Sequence, residues 1–104
     1  MTSGPEGNPP PGASDAMVRV LKIVNEKGLH ARASAKFVQT VEKFDVRVTV
    51  SRGHESAGGD SIMGLMMLAA GIGTSITVTA TGPEAKDVIA ALATLVSTRF
   101  GEDE

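Results

Sequence analysis

The chain contains no cysteine, tryptophan or tyrosine. Without cysteine, neither a disulfide nor a thiolate metal site can form, which suits a reducing, cytoplasmic compartment. Three phenylalanines are the whole aromatic complement, too few for a platform that stacks single-stranded nucleic acid. No apolar run is long enough to span a bilayer, so membrane insertion is not expected. Residues 1–16 carry no Lys or Arg and no apolar stretch, which speaks against a secretory signal. A P-loop lysine motif is missing, and Gly71-Ile72-Gly73 has no third glycine or following helix, so no nucleotide site is expected.

What is present fits one domain of 104 residues. The net charge of −2 is unevenly laid out. Residues 1–16 hold Glu6 and Asp15, and residues 101–104 hold Glu102, Asp103 and Glu104. All ten Lys and Arg fall between residues 17 and 100, where they outnumber the acids. A mildly basic core suits an anionic ligand or an acidic partner but falls well short of a nucleic-acid footprint. The opening MTSGPEGNPPPGASDA is rich in Gly, Pro and Ser and reads as a disordered leader; an expression scar or a flexible tether would look the same. The closing GEDE reads as a solvated acidic tail.

Between them the pattern alternates. Met17–Val24 is β-branched and apolar, a strand, and Asn25-Glu26-Lys27-Gly28 is a turn. Ala31–Phe44 places Phe37, Val38, Val41 and Phe44 at helical spacing, whereas Val46–Ser51 alternates as a half-buried strand. Arg52-Gly53-His54 reads as a hairpin turn, with Glu55–Gly58 returning. Ser61–Leu68 is a short helix, opened at Asp60 or Ser61. Ser75–Thr81 alternates again, and Pro83 starts a last helix with a stripe of Val88, Ile89, Leu92, Leu95, Val96 and Phe100. The order β-α-β-β-α-β-α predicts an α+β open-faced sandwich: a four-stranded antiparallel sheet with three helices on one face. Arg47, Thr49, Thr77 and Thr79 would make the other face polar.

Gly28-Leu29-His30-Ala31-Arg32 is where a strand, a glycine turn and a helix start meet. The first amides of a helix lack partners and carry partial positive charge, so an anion is stabilised there. Lys27, Arg32 and Lys36 add charge nearby, and Arg32 can fork onto phosphate oxygens. The same field disfavours imidazolium and favours the neutral, nucleophilic ring. On spacing alone, a lone histidine at this place reads first as a plain surface residue, with Arg32 and Lys36 as solvated charges. His54, in a glycine turn, reads as surface, and no metal-ligand cluster is visible.

Gly28-Leu29-His30-Ala31-Arg32 resembles the active-site signature of the HPr family, the histidine phosphocarriers of the bacterial phosphotransferase system. Ser61-Ile62-Met63-Gly64-Leu65-Met66 resembles that family's regulatory serine segment, and His30 and Ser61 stand 31 residues apart, as the family pattern requires. The resemblance spans residues 17–100, the expected domain. It implies that Enzyme I, using phosphoenolpyruvate, phosphorylates His30 on Nδ1 (a pros-phosphohistidine), with Ala31 and Arg32 contacting the phosphate. Enzyme IIA domains would receive it, and Ser61 would be a target of HPr kinase/phosphorylase. Ile62, Met63 and Met66 would form an apolar partner surface, with Lys27 and Lys36 meeting an acidic face of Enzyme I. Such a protein is a monomeric carrier consumed and regenerated by its partners, with no cofactor, metal or nucleic acid. The family often has Pro directly after the Arg; here that position is Ala33, followed by Ser34, a variation that resembles the nitrogen-related branch and some proteobacterial HPr proteins. That departure keeps open a regulatory module that signals through its phosphorylation state without sugar transport. Independently of the resemblance, Ser61 reads as a helix N-cap, and Met63, Met66 and Met67, on so short a helix, cannot all be core.

Overall fold

The computed structural model describes residues 16–102. The expected leader therefore lies outside the described residues, apart from Ala16. Strands β1 (Met17–Lys22), β2 (Arg47–Arg52), β3 (Glu55–Gly58) and β4 (Ser75–Thr81) form one antiparallel sheet in the order β1-β4-β2-β3. Helices α1 (Ala31–Val41), α2 (Ile62–Met67) and α3 (Ala85–Ser97) cover one face, and a single 3-10 turn, Arg99–Gly101, follows α3. This is the open-faced sandwich read from the sequence.

Alternation along the strands builds the core. Val48 and Val50 of β2 and Ile76, Val78 and Ala80 of β4 point at the helices and are buried. Facing them are Phe37, Val38 and Val41 of α1, Leu65 of α2, and Val88, Ile89, Leu92 and Val96 of α3. A Leu or Ile held this way contributes about 1.5–3 kcal/mol relative to the exposed side chain. The open face carries Arg47, Thr49, Thr77 and Thr79, as expected, but it is not wholly polar. Val18 and Val20, opposite Thr79 and Thr77, are 64% and 63% exposed on it, because β1 has helix on one side only.

Three boundaries differ from the sequence reading. α1 ends at Val41, since beyond Glu42 the amides bond three residues back (Lys43 to Thr40, Phe44 to Val41), and Phe44 packs on the core from a turn. α3 opens at Ala85, not Pro83, with the Ala85 amide reaching back to Gly82. Phe100 is not on α3. Arg99 and Phe100 take φ of 59° and 55°, a left-handed reversal that turns the Phe100 ring into the core at 1% exposure. Each such non-glycine residue costs of order 1 kcal/mol or more, here offset by burying the ring.

Candidate functional site

The loop before α1 is fixed by its own backbone. The amide of Ile23 donates to Thr74 O and the amide of Gly73 to Ile23 O, pinning the end of β1 to the loop before β4. Gly28 turns with φ 63°, so close to Ala70 that a Cβ would stand 2.3 Å from its carbonyl oxygen. The Leu29 amide donates to that oxygen at 3.0 Å, and the Leu29 side chain is buried. His30 then occupies the N-cap of α1 in extended conformation, its carbonyl accepting from the Ser34 amide at 2.9 Å. Its ring makes no capping bond and keeps 28% of its surface exposed. The helix forms from Ala31 without a proline. Ala33 and Ser34 are fully buried, and the Ser34 hydroxyl donates to Leu29 O at 3.2 Å, tying the first turn to the loop.

Lys27, His30, Ala31, Arg32 and Lys36 line one open cleft of about 570 Å³, together with Gly101 and Glu102. The expected cationic residues are thus brought together around the ring. Lys36 is also engaged: its Nζ donates to Phe100 O at 2.6 Å. On another side of His30 lies a cleft of about 280 Å³ lined by Lys27, Leu29, Met66, Ala69, Ala70 and Gly71. Met66 therefore adjoins the histidine. Ile62, Met63 and Met67 are exposed on α2, at 40%, 68% and 73%, and border neither cleft. Ser61 is the N-cap of α2, its Oγ accepting from the Gly64 amide at 3.0 Å. Among the described residues no cluster of three or more His, Asp or Glu could hold a metal, and His54 is exposed in the β2–β3 turn.

Two site residues were missed in the sequence. Glu102 is no solvated tail residue: its side chain is 9% exposed and its Oε2 lies 2.5 Å from His30 Nε2. Its Oε1 accepts from Asn25 Nδ2 at 3.1 Å, and the same Nδ2 donates to Gly28 O at 2.8 Å. Asn25 is wholly buried, its Oδ1 without a partner. The left-handed turn at Arg99 and Phe100 is what returns Glu102 to the ring. The sequence signal, a Phe-Gly pair closing a helix just before an acid, is visible only with the turn in view. Asp103 and Glu104 lie outside the described residues.

A half-exposed histidine opening the first helix of an open-faced sandwich, with cations gathered around it, defines a class: the small histidine phosphocarriers. Residues 17–98 match the family described as "PTS HPr component phosphorylation site". The chain belongs to this HPr family of the phosphotransferase system. It is 48% identical over 82 residues to the phosphocarrier protein HPr of Cupriavidus necator, an alignment covering 79% of this chain and 92% of that protein. It is 37% identical over 84 residues to the phosphocarrier protein NPr of Shewanella violacea, covering 81% and 92%. An HPr crystal structure from Thermoanaerobacter tengcongensis superposes with a TM-score of 0.80 at 35% identity, covering 85% of this chain and 99% of that one.

Proposed function

We propose that this phosphocarrier takes a phosphoryl group from phosphoenolpyruvate-charged Enzyme I onto His30 and passes it to an Enzyme IIA domain, in the cytoplasm. The observation that carries the reading is the partly exposed His30 ring in the cleft lined by Lys27, Ala31, Arg32 and Lys36. A ring nitrogen lone pair forms the P–N bond as the bond from phosphorus to the donor breaks. The phosphate oxygens then lie near the free amides of α1, with Arg32 able to fork onto them. The P–N bond keeps the transfer potential needed for the second step. Met66, beside His30, with exposed Ile62 and Met63, gives partners an adaptable apolar surface. With Enzyme I and phosphoenolpyruvate, the protein is expected to acquire one acid-labile phosphate, and His30→Ala none; equal labelling of that variant would overturn the mechanism.

Two finer readings follow. The likeness to an NPr, together with Ala33 in place of the family's proline, is compatible with a nitrogen-branch role that signals by phosphorylation state, while the higher identity to HPr relatives favours the carrier role. Rates of phosphotransfer from sugar-type and nitrogen-type Enzyme I decide between the branches; faster transfer from the sugar type excludes the signalling role as the primary one. Ser61 is a fitting target for HPr kinase/phosphorylase. A phosphate at this N-cap adds roughly two negative charges beside the apolar surface without unfolding α2, and weakens docking of an acidic Enzyme I face.

A further inference from the structure

We propose that Glu102 is a positioning residue that fixes the tautomer of His30, holding the ring proton on Nε2 so that the lone pair, and hence the phosphate, belongs to Nδ1. The inference rests on His30 being the phosphate carrier. A carboxylate only accepts hydrogen bonds, so Oε2 at 2.5 Å from Nε2 requires the hydrogen to be on Nε2. The other oxygen, Oε1, accepts from Asn25 Nδ2, a donor fixed by full burial and by its bond to Gly28 O. A neutral imidazole has one ring proton. With that proton at Nε2, Nδ1 is left as the nucleophile.

The approach is built in. Phe100 is locked in the core, and its carbonyl is clamped by Lys36 of α1, the helix that His30 opens. Phe100, Gly101 and Glu102 thus cannot drift without disturbing that helix. In the transfer step, the Nδ1 lone pair bonds to phosphorus and the P–N bond to a phosphohistidine donor breaks, its electron pair returning to the donor nitrogen. The His30 ring is left positive with its hydrogen on Nε2, and the Glu102 carboxylate neutralises that charge through the same hydrogen bond. Transfer onward runs the same electron flow in reverse. This parallels the carboxylate that orients a catalytic imidazole in hydrolytic triads, with the phosphoryl group in place of an acyl group.

The test uses 15N-labelled full chain above the imidazole titration range. The wild type is expected to give one tautomer with a downfield Nε2 proton, and phosphoramidate is expected to place phosphate on Nδ1 alone. Glu102→Ala is expected to lose the downfield proton, to give mixed Nδ1 and Nε2 phosphohistidine, and to slow transfer from Enzyme I about tenfold. Glu102→Gln keeps an acceptor and is expected to restore the Nδ1 product while transfer stays slow, which a merely structural loss would not do. The proposal is overturned if the wild-type ring shows no Nε2 proton, or if Glu102→Ala phosphorylates at Nδ1 as cleanly as the wild type. Should Enzyme I fail to label the wild type, the carrier reading falls, while the ring spectra still report on Glu102.

Discussion

At the turn before His30, one hydrogen atom in place of a methyl group decides whether the loop closes. Gly28 sits at φ 63° with Ala70 O in the path of any Cβ. Gly28→Ala should cost more than about 1 kcal/mol in urea unfolding, from the strained dihedral and the clash together. It should also slow labelling, since the Leu29–Ala70 bond that seats His30 must shift. Ser61 offers a cleaner residue-scale case. Removing its hydroxyl orphans the Gly64 amide, so Ser61→Ala should cost about 1 kcal/mol by thermal or urea denaturation. Labelling of His30 should be left nearly unchanged, which separates the capping role of Ser61 from any role in transfer.

The elements themselves differ in how far they can be read from residues alone. β3 and β4 were legible to the residue. β4 alternates as Ile76, Val78 and Ala80 against threonines, and Gly53 and His54 mark the hairpin before β3. The start of α1 was legible because a glycine turn, a histidine and an arginine announce it. Its end was not: Phe44 continues the helical spacing, yet it packs on the core from a turn, and spacing cannot distinguish the two. Phe100 misled in the same way, because any apolar residue a turn beyond Val96 extends the stripe. The gathering of Lys27, Arg32 and Lys36 around His30 was legible from proximity in sequence. Glu102 and Asn25 were not, because the first contact spans 72 residues and depends on a backbone reversal that no local pattern signals. That reversal is itself testable. Phe100→Ala should lower stability by about 3–5 kcal/mol, as for other buried Phe truncations, and should free the segment that carries Glu102. Hydrogen exchange at residues 99–102 would register the release; unchanged protection there would mean the ring is not what holds the segment.

As a whole, the molecule presents two unlike surfaces that meet at one ring: a cationic cleft with Lys27, Arg32 and Lys36, and an apolar cleft leading to Met66. Binding to Enzyme I should draw on both, and they should separate by salt. Affinity should fall as ionic strength rises from about 0.05 to 0.5 M, since exposed charges are screened beyond about a Debye length. Met66→Ala should weaken binding by a similar factor at every salt concentration. A Met66 effect that vanished at high salt would contradict this division. The return of residues 99–102 onto His30 also has a practical side. Proteolysis that removes Glu102 acts beside the reacting ring, so measured transfer rates are comparable only between preparations in which Glu102 is intact.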